Sequence, residues 1–261
     1  MHISRNTFQL GDTKMSDDEG IERLFFELAS ESRLSILRQI SHEKGKMREI
    51  ARKLDLTTTD TFRQLQRLSD ALLVEKQNDG SYGITQYGTF VLRFSGTLEF
   101  LFKYRQFFST RDFSQLPSQF LDRIGELSKA EFSSDMMANI NVAERITREA
   151  EQYMWGGGSE QPLNIRHILI ESIPKGVKYK FLFHKKYIPT SPTVAGMERA
   201  VEWRAIEDIP VNFVLSEKEA AISFCLPNGK TDYVGFVGKD PIFVNWVKEL
   251  FQYYWARGAR P

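Results

Sequence analysis

From Glu22 to Gly88 the apolar positions recur in short blocks separated by polar turns. Glu22 to Ala29 puts Leu24, Phe25 and Leu28 on one side of a first amphipathic helix. Ser30 or Ser32 is placed to cap a second, whose apolar positions are Leu34, Ile36, Leu37 and Ile40. Met47, Ile50, Ala51 and Leu54 follow at i, i+3, i+4 and i+7, which makes a short helix with Arg48, Arg52 and Lys53 on its wet side. Asp55-Leu56 supplies the turn. Thr57, with Asp60 three residues on, resembles a capping box with Asp in place of Glu. The helix it opens places Thr61, Leu65, Leu68 and Leu72 toward a core. Leu73 to Lys76 and Tyr82 to Thr85 then read as two short strands around Asn78-Asp79-Gly80, a strong turn signal.

This order of elements is that of a winged helix-turn-helix, expected over residues 16–88 after a flexible arm over residues 1–15. If the leucine side of the helix after Thr57 is buried, about 100° of rotation per residue turns Thr59, Arg63 and Gln66 outward, flanked by Phe62 and Arg67. Hydroxyl, guanidinium and amide groups read base edges in a major groove. Thr58 at the helix start is placed to hold a phosphate. Arg48, and Lys76, Asn78 and Ser81 of the wing, complete the expected DNA-binding set. A merely solvated helix face and a hairpin that only finishes the fold are the alternatives.

Further along, Gln86 to Phe108 carries Phe90, Val91, Phe94, Leu98, Leu101, Phe102, Tyr104, Phe107 and Phe108 with few charges between them. A helix this apolar is buried on more than one side, either under its own chain or against a second copy. It is expected as a connecting and dimerisation helix over residues 89–111. Residues 112–261 read as a mixed α/β domain. Ser118 to Leu127, Asn141 to Glu151 and Ile165 to Ile173 have helical periodicity, and Gly156-Gly157-Gly158 reads as a flexible turn. Strands are expected over Val177 to Phe183, Val211 to Leu215, Ala220 to Leu226 and Tyr233 to Val237, the last three as an antiparallel meander. Pro241 opens a final helix with Phe243, Trp246, Val247, Leu250, Phe251 and Tyr254 inward. The fold class is therefore α+β: an N-terminal winged helix-turn-helix, a long connecting helix and a C-terminal mixed α/β domain.

Composition adds constraints. The chain has 261 residues, 41% hydrophobic and 26% charged, an ordinary globular balance. Its formal net charge of +1 makes no global case for nucleic acid, so that case is local. From 46 to 77 seven basic residues face five acidic ones, a surplus of two, and the preceding helices carry Asp17, Asp18, Glu19, Glu22, Glu27 and Glu31. One copy is expected to bind DNA weakly, because phosphate neutralisation supplies most non-specific affinity. A homodimer through residues 86–108 is therefore part of the expectation. The lone Cys225 excludes an intrachain disulfide and fits a cytoplasmic protein. No apolar run approaches a membrane span, and no membrane partner is expected.

The residues of the first half resemble the DNA-binding domain of archaeal winged-helix transcription regulators of the ArsR-like kind. Leu28-Ala29 with Arg33-Leu34-Ser35-Ile36-Leu37, Glu49-Ile50-Ala51 with Leu54, and Leu65, Leu68 and Leu72-Leu73-Val74-Glu75-Lys76 carry the likeness. Leu72 stands where that family usually has glycine. Tyr82, Ile84-Thr85 and Tyr87-Gly88 resemble the wing of the archaeal subgroup. Metal-sensing members place cysteines in the helix over Met47 to Leu54; here there are none, so metal sensing is not implied. The second half, through Leu116-Pro117, Glu149 to Trp155 and Phe243 to Trp255, is similar to the effector domain of the methanogenesis and filament-formation regulator group. That similarity implies a small-molecule-responsive domain without naming the effector.

No catalytic set, metal site or cofactor is expected. His184-Lys185-Lys186 begins like a phosphodiesterase His-Lys-Asp motif, but Ser191 stands where the Asp belongs. The Gly triplet lacks the Lys-Ser/Thr of a phosphate loop. The effector-binding candidates are Trp155, Tyr179, His184, Tyr187, Arg199, Trp203 and Arg204, aromatics and cations near strand ends that suit an anionic or aromatic molecule. The expected function is a sequence-specific transcription regulator with double-stranded DNA, a second copy and an unknown small molecule as partners. The competing expectation is a winged-helix protein–protein subunit of the transcription machinery.

Overall fold

The computed structural model describes residues 20–159, 176–187 and 201–260. The chain divides into two compact units, Met1–Ser95 and Gly96–Pro261. The expected N-terminal arm and the expected helix at Ile165 to Ile173 lie outside the described residues.

The first unit runs α1 (Ile21–Leu28), α2 (Glu31–His42), β1 (Gly45–Lys46), α3 (Met47–Lys53), α4 (Thr58–Asp70), β2 (Val74–Lys76), β3 (Ser81–Ile84) and the start of α5 (Gln86–Lys103). Of the two candidate caps for α2, Ser30 takes the role, accepting from the Arg33 backbone N–H at 3.4 Å. Thr57 caps α4: its hydroxyl accepts from the Asp60 N–H at 3.1 Å and donates to the Asp60 carboxylate at 2.8 Å. Ile36, Leu37, Ile40, Ile50, Leu65 and Leu68 close the core, with Leu73, Val74 and Tyr82 from the hairpin. The strands form a small sheet in the order β1-β3-β2. Gly88 lets α5 settle on the hairpin, since a Cβ there would lie 2.1 Å from the Leu73 carbonyl oxygen.

Leu72 is not a core residue as the leucine spacing implies. Helix α4 ends at Asp70, and Leu72 sits in the left-handed region at φ 58, 69% exposed. The Leu73 N–H bonds the Leu68 carbonyl and the Leu72 N–H bonds that of Ser69, the pattern of a Schellman cap. Reversing the chain into β2 needs that conformation, and Leu73 takes the buried place.

In the second unit the helix expected through Phe108 breaks at Tyr104 and resumes as α6 (Arg105–Ser109). The stretch read as one helix from Ser118 splits into α7 (Ser118–Leu121) and a 3-10 turn (Ile124–Lys129). Then come β4 (Glu131–Ser133), α8 (Met136–Glu149), β5 (Tyr153–Gly158), β6 (Lys178–His184), a 3-10 turn at Lys185–Tyr187 and β7 (Val201–Ile206). The unit closes with β8 (Val211–Ser216), β9 (Ala220–Phe224), β10 (Gly235–Gly238) and α9 (Pro241–Arg257). Asp240 caps α9 at the Ile242 N–H, with Pro241 at the first turn as expected.

The described strands of this unit form one sheet in the order β4-β10-β9-β8-β5-β6-β7. β5, β6 and β7 are parallel, and the β8-β9-β10 meander runs antiparallel as expected. The glycine triplet is not a turn: it is the end of β5, where Gly156 pairs with Phe181 on one side and Val214 on the other. Partners on both edges hold an extended conformation that glycine alone does not favour. One sheet face packs Phe213, Leu215, Ile222 and Phe236 against α9 through Trp246, Leu250 and Phe251. The other packs Met154, Tyr179, Phe181 and Val214 against Ile146 of α8. The unit is thus a mixed α/β layer, and the whole chain is α+β. No helix among the described residues is long and apolar enough to cross a membrane.

Candidate nucleic-acid interface

Helix α4 is divided along its length. Thr61, Gln64, Leu65 and Leu68 are buried, whereas Thr58, Thr59, Phe62, Arg63 and Gln66 are exposed. The periodicity that hides the leucines leaves this polar stripe outward. Arg63 is open, with a side chain 68% exposed and an ion pair to Asp60 at 2.9 Å, one turn back. Gln66 donates to Asp70 at 2.9 Å. Both are surface contacts within one helix that a stronger partner displaces at small cost.

Arg67 is placed differently. Its guanidinium donates to the Glu27 carboxylate at 2.7 and 3.2 Å and lies 4.9 Å from the centre of the Phe26 ring. Glu27 is itself buried and also pairs with Arg33 at 2.9 Å. Arg33 completes the cluster by donating to the Glu27 and Phe26 carbonyls and to the Gln64 amide oxygen. Burial lowers the Arg33 pKa against the pull of Glu27, and the hydrogen bonds Arg67 donates to Glu27 raise that of Arg67. Arg67 therefore faces the protein and locks α1, α2 and α4 together. The acidic patch read from the sequence loses Glu27 to this cluster, while Glu22 and Glu31 stay exposed.

At the wing, Lys76 and Asn78 are exposed. Ser81 is buried, its hydroxyl donating to the Asp79 carboxylate at 2.6 Å. The Ser81 hydroxyl and backbone N–H, with Lys44 and Lys46 nearby, hold the Asp79 carboxyl below its ordinary pKa. Sequence reasoning missed β1, since two residues show no alternation. Its register puts Lys46 opposite Ser81, so Lys44 and Lys46 join the wing's surface. Arg48 is exposed on α3.

Along α5 the exposed apolar residues are Tyr87, Phe90, Phe94, Leu98 and Phe102. Their spacing of three, four, four and four residues makes a single stripe on that helix. Phe100 and Phe107, by contrast, are buried in the second unit.

The effector candidates do not converge. Trp155 stacks on Phe251 of α9 at 5.1 Å, and Arg204 lies over Trp255 at 4.6 Å and donates to its carbonyl at 2.7 Å. Tyr179 and Trp203 lie on the opposite sheet face, where Trp203 stacks on Phe181 at 4.8 Å. His184 is half-buried at the end of β6, its Nδ1 accepting from the Lys186 N–H at 3.1 Å. Arg199 and the side chain of Tyr187 lie outside the described residues.

No protein-family model matches the chain. Nor does any curated protein match it. Among solved structures it is similar to TrmBL2, an archaeal chromatin protein whose structure shows a novel mode of DNA binding. That likeness has a TM-score of 0.44 and 14% identity, over 93% of this chain and 100% of that one. A second likeness is to CalO1, a methyltransferase of calicheamicin biosynthesis in its SAH-bound form, at a TM-score of 0.24 and 13% identity. It covers 71% of this chain and 61% of that one. Likenesses this distant carry no functional argument.

Proposed function

We propose that this chain is a sequence-specific, double-stranded DNA-binding transcription regulator of the cytoplasm, with an ArsR-like winged helix-turn-helix in an archaeal type of regulator. The observation that carries the reading is the outward stripe of Thr59, Arg63 and Gln66 on α4, opposite its buried leucines. Arg63 suits guanine and Gln66 adenine in the major groove. Thr58 and the free N–H groups at the start of α4 suit a phosphate. Lys44, Lys46, Lys76 and Asn78 suit the flanking backbone.

The modest local charge calls for two copies. The exposed stripe on α5 supports a homodimer that sets the separation of the two reading helices near one turn of DNA. The second unit is the sensing half. A small molecule bound there shifts the protein between states that differ in DNA affinity.

Selection of duplexes from a random pool by the full chain tests this reading. The expected result is a two-fold symmetric motif with half-sites about 10 base pairs apart, centre to centre. Enrichment of no motif, together with capture of transcription-machinery proteins, would favour a protein–protein subunit.

A further inference from the structure

Beneath α8 the sheet of the second unit carries a cavity of about 90 Å³. Small side chains make it. On this sheet face Gly156 and Ala221 both flank Val214, and Ser223 lies opposite Gly235. All five line the cavity. Larger side chains there would fill the space that α8 spans.

Two side-chain amides enter a mainly apolar lining that also holds Ser223 and Tyr233, Asn139 from α8 and Asn212 from β8. Asn139 is 7% exposed, and its Nδ2 donates to the Tyr233 carbonyl at 2.8 Å and that of Ser133 at 3.2 Å. Two carbonyl acceptors fix which end of the amide is nitrogen. Its Oδ1 is left buried with no partner among the described residues. Asn212 Nδ2 is buried without a partner as well. Gly158 leaves room for that side chain, since a Cβ there would lie 2.0 Å from Asn212 Oδ1.

Each unmet buried polar atom costs about 1–3 kcal/mol. Here one acceptor and one donor stand unmet at the same cavity. A guest that supplies an N–H and a carbonyl satisfies both. Among the described residues no charged side chain lines the space, so an ion entering it would lose its hydration without a counter-charge. Size narrows the class further: an apolar cavity of roughly 150 Å³ holds benzene, so this one suits a five-membered ring or a shorter chain.

We propose that this cavity is the effector site, and that it binds a small neutral lactam or amide, or the head of a molecule carrying one. The N–H donates to Asn139 Oδ1 and the carbonyl accepts from Asn212 Nδ2. The proposal rests on the sensor reading of the second unit for its effect on DNA. It relocates the effector from the aromatic and cationic set, of whose described side chains none lines this cavity.

The test titrates the full chain with 2-pyrrolidinone by ligand-observed NMR, against cyclopentanone, which has the same ring and carbonyl but no N–H. 2-Pyrrolidinone is expected to bind on the order of millimolar, and cyclopentanone about tenfold more weakly for want of one hydrogen bond. Ala143→Phe, which fills the cavity from α8, abolishes binding. Asn212→Ala, which removes a donor without overpacking, weakens it about tenfold, and thermal melts establish that both variants fold. No binding of 2-pyrrolidinone, equal binding of the two compounds, or binding unchanged in both variants overturns the site. Binding as expected with unchanged DNA affinity leaves the site standing and removes the sensor reading.

Discussion

Arg67 on α4 and Glu27 on α1 are joined by two hydrogen bonds, 2.7 and 3.2 Å long, although forty residues separate them in the chain. This pair fixes the rotation of α4 about its own axis. Arg67 is held at the edge of the buried face, and Arg63, one turn earlier and about 40° further round the helix, is left on the outside.

Glu27→Gln tests how much of the first unit depends on this cluster. It leaves Arg33, with a side chain only 8% exposed, facing no carboxylate. Losing one partner of a buried ion pair costs about 3–5 kcal/mol, and the partial exposure of Arg67 favours the lower end. Urea denaturation should show a loss of about 3 kcal/mol. A loss under about 1 kcal/mol, the worth of a surface pair, would mean that other contacts set the rotation of α4.

Leu72 holds a left-handed conformation that costs a non-glycine residue roughly 1–2 kcal/mol, and its side chain is mostly in water. Glycine removes that strain and gives back part of the gain as chain entropy in the unfolded state. Leu72→Gly should stabilise the first unit by about 0.5–1 kcal/mol, seen as a higher melting temperature. A lower one would mean that Leu72 packs on something, the second copy included.

Phe94 is 69% exposed on the α5 stripe, so Phe94→Asp removes no buried contact of the single chain. Sedimentation should show a shift from dimer to monomer with the helical circular dichroism unchanged. DNA affinity should fall with it, because half of the phosphate contacts are lost. A variant that stays dimeric places the contact between copies elsewhere.

The Glu217 carboxylate accepts from the backbone N–H groups of Glu151, Gln152 and Tyr153 at 3.0, 3.3 and 3.2 Å. Burial pushes its pKa up, but these N–H groups outweigh it and hold the carboxyl below its ordinary 4.5. A pKa depressed by folding stabilises fully above the ordinary value and fades as pH falls through the folded one. The stability difference between wild type and Glu217→Gln should thus be constant near neutrality and shrink below about pH 4.5. A difference that persists unchanged into acid would assign the effect to shape instead of charge.

The winged unit was legible because its signals are local: caps at Ser30 and Thr57, helical spacing of apolar residues, and Asn78-Asp79-Gly80 at the turn. What escaped depends on distant partners. Glu27 and Arg67 each read as surface charge until the fold brought them together. Leu72 continued the leucine spacing, and only the Schellman hydrogen bonds reveal that the helix had ended. In the second unit β7 gave no clear alternation, and the glycines of β5 looked like a turn because their order comes from strands on either side. Without those strands the inward direction of Trp155 and Trp203 was not defined, and residues from opposite sheet faces were grouped as one site. The cavity beneath α8 is made by small residues, which leave no mark in a pattern of hydrophobic positions.

The most direct test of the account is the base preference of Arg63→Ala on the duplex enriched by selection, measured by fluorescence anisotropy against single-base variants of each half-site. The account predicts a loss of about 1–3 kcal/mol on the best site and a relaxed preference at one position of each half-site, with the fold unchanged. Wild-type affinity and wild-type preference at every position would contradict it.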